Sequence, residues 1–319
     1  METSIKTERQ KRIRGVGYIL AAAFFFALMN LFVRTAGDVP VFQKCFFRNL
    51  VAFFVALAVL IKSGDGFQIG EGNFKYLMYR SVGGLLGVFC NFYAIDHINI
   101  SDASMLNKLS PFFAIILSTF ILKERANRRQ WAAVIIAFIG ALFVVKPTFS
   151  MASLPAISGV LGGFGAGYAY TYVRKLGNRG EKGTRIVLFF SGFSCLATLP
   201  YLIFAYHPME WWQLGSLLLA GCAAAGGQFS ITAAYTNAPA KEISVYDYSQ
   251  VIFAALLGVI FLGQWPDIYS VIGYVIIISV AVIKWRMDNK DEQKRFENEK
   301  GWPDEDITGD KRVRWSGNQ

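Results

Sequence analysis

The sequence predicts an all-α polytopic membrane protein, with ten transmembrane helices arranged as two inverted five-helix repeats around a central cavity. Three observations lead there. Apolar residues make up 54% of the chain and lie in long blocks rather than amphipathic stripes. Lysine and arginine gather in alternate connections between those blocks. The chain also matches itself at a constant shift of 140 residues, from Arg34 and Arg174 to Leu122 and Leu262.

A helix needs about 20 apolar residues to cross a hydrocarbon core of roughly 30 Å. Blocks that meet this need lie at 15–34, 40–61, 76–96, 101–122, 130–146, 154–174, 185–206, 211–235, 243–263 and 267–285. Short connections join them, which argues against a soluble protein with buried core helices. The first block is too long for a signal-peptide core and no small-residue cleavage pattern follows it, so it is expected to remain as the first span. The organisation expected is a cytosolic segment 1–14, a first repeat 15–146, a second repeat 154–285 and a charged cytosolic tail 286–319, a short helix that grades into disorder.

Orientation follows from charge. With Lys6, Arg9, Lys11, Arg12 and Arg14 in the cytosol, the inward connections hold Lys62, Lys75, Lys123, Arg125, Arg128 and Arg129. They also hold Arg174, Lys175, Arg179, Lys182, Arg185 and Lys241, whereas the outward connections hold only Arg34 and Lys146. The positive-inside rule then puts both termini in the cytosol, in a bacterial inner (plasma) membrane. The net charge of +10 is accounted for by these loops and by contact with anionic inner-leaflet lipid, with no nucleic-acid partner needed. Cys45, Cys90, Cys195 and Cys222 lie inside predicted spans without metal-ligand spacing, so no disulfide, metal or cofactor is expected. Gly162-Gly163-Phe164-Gly165 follows no strand and belongs to a span, which removes it as a phosphate loop. A monomer or homodimer is expected.

The repeat supplies the functional argument. Val33-Arg34 and Gly37 recur as Val173-Arg174 and Gly177, Gly87 as Gly227, Ser104 as Ser244, and Phe113-Ala114 as Phe253-Ala254. Five spans per repeat is odd, so the second copy inserts in the opposite sense, with Arg34 outside and Arg174 inside. Inverted repeats around a midplane cavity are the usual construction of secondary transporters.

The stretch Phe92-Tyr93-Ala94-Ile95, Ser101, Ala103-Ser104, Leu109-Ser110-Pro111-Phe112 and Leu122-Lys123-Glu124 resembles the first-repeat signature of the drug/metabolite transporter superfamily, EamA type. Trp131, Gly140 and Lys146-Pro147 fit its fifth helix, and Arg48 in Phe46-Phe47-Arg48 fits an arginine of its second. The second repeat echoes the pattern with Ala234-Tyr235, Ser244 and Leu262-Gly263-Gln264. It departs with Gln264 where glutamate is frequent, and with Gln250-Val251 where a proline is common. The resemblance covers nearly all of 15–285 and implies a ten-helix basket that exports or takes up a small organic metabolite.

Ionisable groups in hydrocarbon are costly and mark sites. Arg48 stands about 12 Å below the outer end of its span at 1.5 Å per residue. Lys108 sits mid-span, one turn after Ser104 and beside Asn107. At the 140-residue shift, Asn107-Lys108 become Asp247-Tyr248, so a base and an acid face each other on related helices. The candidate substrate-binding set is Arg48, Lys108, Asp247, Asn107, Ser104, Tyr248, Tyr246 and Asn91, with Asp247 the candidate for proton coupling. An ion pair between Lys108 and Asp247 that merely holds the halves together is the competing account. Lys44 and Arg80 are expected to snorkel to the interfaces. Of Tyr168, Tyr170 and Tyr172, at most two can face a cavity, and Asn30 and Gln228 are expected to bond between helices. Gly83, Gly87, Gly163 and Gly167 have the small-xxx-small spacing of close helix crossings.

Both signs of charge point to an amino-acid-like or zwitterionic solute, carried by alternating access. A nucleotide-derived or phosphorylated metabolite is the alternative, because Arg48 with Lys108 also suits phosphate. His97 and Asp102, four residues apart between them, raise a membrane acyltransferase as the other class. The expectation is no enzyme, since a general base must converge on a hydroxyl.

Overall fold

The computed structural model describes residues 2–64, 66–123, 128–145, 153–237 and 244–300. Glu124, Arg125, Lys146-Pro147, Lys241, Trp302 and Trp315 lie outside the described residues. The architecture is helical throughout. In chain order the helices are α1 (Glu2–Thr35), α2 (Val41–Ser63), α3 (Phe74–His97), α4 (Ile100–Asn107), α5 (Ser110–Ile121) and α6 (Arg128–Val145). There follow α7 (Leu154–Asn178), α8 (Gly183–Ala205), α9 (Trp211–Asn237), a 3-10 turn (Ser244–Tyr248), α10 (Ser249–Leu262) and α11 (Ile268–Lys300).

Six segments among the described residues are long and apolar enough to cross a membrane: Ile13–Thr35, Val41–Ser63, Ile100–Ile121, Gly183–Ala205, Trp211–Ile231 and Ile268–Met287. Trp131–Val145 and Tyr246–Leu262 are apolar but shorter. Helices α3 and α7 have the length but not the composition. The first carries Arg80 and Asn91, and the second carries Gly162, Gly163, Gly165 and Gly167. Phe120, Leu196, Phe204 and Ile260 stand largely exposed on the outside. Such an exterior is costly in water and natural against lipid tails. The protein is an integral multi-pass membrane protein.

The packing is pairwise: α1 lies against α9, α3 against α7, α2 against α8, and α6 against α11. The α3–α7 crossing is close because glycines meet there. A Cβ on Gly165 would stand 2.5 Å from the Gly87 Cα and one on Gly162 would stand 3.1 Å from the Asn91 nitrogen, while one on Gly163 would stand 2.7 Å from the Leu106 carbonyl oxygen of α4. These contacts bear out the small-residue spacing, and any larger side chain would push the helices apart.

The fourth predicted span, 101–122, is interrupted. Helix α4 ends at Asn107 and α5 restarts at Ser110 with Pro111 in its first turn. Proline has no N–H and its ring clashes with the preceding turn, so a continuous helix is broken just before it. Lys108 occupies the break, with φ −71° and ψ 3°. The equivalent position in the second half, Tyr248, closes the 3-10 turn before α10, although no proline follows it.

Candidate functional site

The two interrupted segments face a central cavity of about 120 Å³. Met29 and Asn30 reach it from α1, Arg48 from α2, Arg80, Gly84 and Asn91 from α3, and Asn107 and Lys108 from the α4–α5 break. Tyr170 comes from α7, Phe190 from α8, Gln228 from α9 and Gln250 from α10. A more open groove of about 440 Å³ between α2, α3 and α8 is lined almost wholly by apolar side chains such as Phe53, Phe189 and Phe193. It lacks the convergent polar groups that orient a polar ligand.

Of the candidate residues, Arg48, Lys108, Asn107 and Asn91 line the cavity. Asp247 stands behind them: the Lys108 ammonium donates to its Oδ2 at 2.5 Å, in an ion pair with side chains 9% and 17% exposed. Its other oxygen, Oδ1, is buried without a hydrogen-bond partner. The Tyr248 hydroxyl donates to the Lys108 carbonyl at 3.3 Å, fixing the break from the opposite half. Ser104 accepts a bond from the Asn30 side chain at 3.0 Å, so it positions a cavity residue without lining the cavity. Tyr246 is exposed and packs its ring against Trp285, away from the cavity, because the 3-10 turn sends neighbouring side chains in different directions.

Two basic residues depart from the snorkelling expectation. Arg80 is buried at 8% exposure, with its guanidinium 3.8 Å from the centroid of the Phe190 ring and lining the cavity. Phe190 on α8 covers the route to the interface, and the sequence gives no sign of that neighbour. Lys44 is fully buried and donates to Asp96 at 2.5 Å. That partner stands at the edge of a predicted span, where an acid draws little notice. Tyr170, named only as one of three tyrosines of which at most two could face a cavity, and Gln250, named only as a departure from the family pattern, also line it. Tyr170 is one of three crowded tyrosines, and only the neighbouring helices decide which of them faces inward.

Cationic side chains dominate the cavity. Arg48 donates from Nη1 to the neutral Asn49 amide at 2.7 Å, and its Nε has no partner. Arg80 leaves Nε and Nη1 unpartnered, and Asn30 and Asn91 each leave Oδ1 unpartnered. Buried polar atoms are seldom left so, and a cluster of them around one space is suited to a ligand or ordered water. No group of His, Cys, Asp and Glu among the described residues has metal-holding geometry. His97 and Asp102 do not converge: His97 Nδ1 lies 2.8 Å from the Tyr93 carbonyl, while Asp102 accepts from the Tyr274 hydroxyl at 2.5 Å. No general-base pair is formed.

Buried ionic and amide side chains gathered between packed apolar helices define a multi-pass membrane protein with a polar interior. The chain belongs to the EamA-like transporter family, whose model matches twice, over residues 13–146 and 153–284. It is a transporter and not an enzyme. Among its relatives is a pseudopaline exporter of Pseudomonas aeruginosa, 31% identical over 271 residues, covering 84% of this chain and 94% of that protein. An uncharacterized transporter of Helicobacter pylori is 27% identical over 280 residues, covering 84% and 93%. Solute carrier family 35 member G1 of Homo sapiens is 26% identical over 297 residues, covering 86% and 81%. A solved crystal structure aligns with a TM-score of 0.62 at 16% identity, over 88% of this chain and 99% of that one, which shows a shared fold.

Proposed function

We propose that the protein is a secondary transporter of a small polar, amino-acid-like metabolite, with its site at the membrane midplane between two inverted five-helix repeats. The observation that carries this reading is the Lys108–Asp247 pair, which joins the two interrupted segments at the wall of the cavity. The helix pairing supports the inversion. At the 140-residue shift α1 corresponds to α7 and α9 to α3, so the α1–α9 and α3–α7 contacts exchange, while α2–α8 and α6–α11 map onto themselves. Ten spans, cytosolic termini and a bacterial inner membrane rich in anionic lipid complete the reading.

In this mechanism Arg48 holds the carboxylate of the solute by a charge-assisted fork. The solute's ammonium competes with Lys108 for Asp247, whose free Oδ1 is the open acceptor. Protonation of Asp247 releases Lys108, loosens the contact between the halves and couples transport to a proton. The cavity of about 120 Å³ is below the roughly 300–1,000 Å³ of sites that enclose drug-sized ligands, so it suits a compact cargo or a contracted state. The exporter among the relatives favours outward movement.

The test is counterflow in proteoliposomes preloaded with candidate solutes. Wild-type protein is expected to exchange at least one amino-acid-like solute, and Lys108→Ala to lose most of that exchange. An unchanged apparent affinity in Lys108→Ala would remove the site from this cavity.

A further inference from the structure

We infer that the cargo carries at least two carboxylates, held by Arg48 and Arg80 as two halves of one anion clamp. This rests on the transporter reading and sharpens its substrate class.

Charge balance leads there. Lys108 is neutralised by Asp247, so it adds no net charge to the cavity. Arg48 and Arg80 are 6% and 8% exposed and form no ion pair among the described residues. A guanidinium cannot shed its proton as a buried lysine can, and no carboxylate among the described residues meets its charge. Both arginines line the same cavity, and no carboxylate among the described residues does. Each guanidinium keeps buried donors without a partner, Nε in Arg48 and Nε and Nη1 in Arg80, and arginine takes carboxylates through paired N–H groups.

One carboxylate supplies a single negative charge to two guanidiniums. A phosphate monoester gathers its charge at one centre, whereas the two arginines are carried on different helices, α2 and α3, so glycerol 3-phosphate is the competing probe. Two carboxylates joined by a short chain supply one anionic group to each fork. The Phe190 ring beneath Arg80 holds that fork flat without competing for its N–H groups.

The test uses full-length protein in lipid nanodiscs, with succinate, glutamate, monomethyl succinate, alanine and glycerol 3-phosphate as probes in thermal-shift titrations. Succinate and glutamate are expected to bind at least about tenfold more tightly than alanine and monomethyl succinate, which offer one carboxylate each. Arg80→Gln and Arg48→Gln are each expected to erase that advantage, while Arg80→Lys keeps part of it. The monomethyl ester removes one charge from the ligand alone, so the comparison stands even where an arginine variant does not fold. Equal binding of succinate and its monomethyl ester overturns the inference, as does tighter binding of alanine or glycerol 3-phosphate, or no binding of either two-carboxylate probe. Counterflow separates the two claims. Succinate binding without exchange would sink the transporter reading and leave the clamp standing. Exchange of alanine with the two-carboxylate probes silent would sink the clamp and leave the transporter.

Discussion

At the interruption of the Ile100–Ile121 segment the chain places a lysine, and 140 residues later the matching position is Tyr248. The residue before each is Asn107 in the first half and Asp247 in the second. The backbones answer each other, with a short helix or turn, a break and a longer helix. The chemistry does not. The first half contributes the cation, and the second contributes the anion and a hydroxyl that binds the first half's carbonyl. Duplication supplied a symmetric scaffold, and divergence of a few side chains turned the junction into a polar site.

Breaking the pair should cost most. Lys108→Ala leaves Asp247 largely buried without its cation, and one-sided loss of a buried pair costs on the order of 3 kcal/mol. A lowered unfolding midpoint in nanodiscs, alongside lost exchange, is the expected result. Next comes the crossing of helices. A Cβ on Gly87 would meet backbone of Gly165 at 3.0 Å, whereas one on the equivalent Gly227 would meet the Phe26 ring at 2.7 Å. Backbone has little room to yield and a ring can turn, so Gly87→Ala should destabilise by about 1–3 kcal/mol and Gly227→Ala by less. Equal losses would mean that the two crossings are equally rigid.

Tyr248→Phe removes one long hydrogen bond and should cost about 0.5–1 kcal/mol, with binding nearly unchanged. The smallest effect concerns the loops. Asn73 and Gln213, again 140 apart, each anchor a clasp between two connections. At Asn73 the clasp is charged: Glu181 Oε2 accepts from the Asn73 amide and the Gly70 N–H, and Oε1 accepts from Arg185. At Gln213 it is neutral, with Gln213 donating to the Ala36 carbonyl and Gln43 exchanging two bonds with His207. Burial alone would raise the Glu181 carboxyl, but the bonds from Asn73 and Gly70 and the Arg185 charge outweigh it and hold it below its ordinary 4.5. A depressed carboxylate stabilises above its unfolded value and loses that contribution as pH falls through its folded one. Protection against hydrogen exchange at 66–73 should therefore fall below pH 4.5, while protection at 206–213 should not, and Glu181→Gln should abolish the difference.

Much of this was legible in the sequence. Helices, membrane class and family followed from apolar blocks and from the Leu109-Ser110-Pro111-Phe112 signature, because hydrocarbon imposes its demands on each segment separately. The closeness of Lys108 and Asp247 followed from the repeat, which turns a sequence shift into a spatial relation. What escaped depended on third parties. Arg80 packs on Phe190, Lys44 pairs with Asp96, and Tyr170 lines the cavity while Tyr168 and Tyr172 pack on each other. Tyr246 looked like a neighbour of the site because it adjoins Asp247, yet the tight 3-10 turn directs it outward.

Asp247, at the junction of the two halves, is proposed to link solute movement to a proton. The direct measurement is solute accumulation driven by an imposed pH gradient in proteoliposomes, compared between wild type and Asp247→Asn. The account predicts that the variant still exchanges solute across the membrane but no longer concentrates it in response to the gradient. Full gradient-driven accumulation by Asp247→Asn would contradict it.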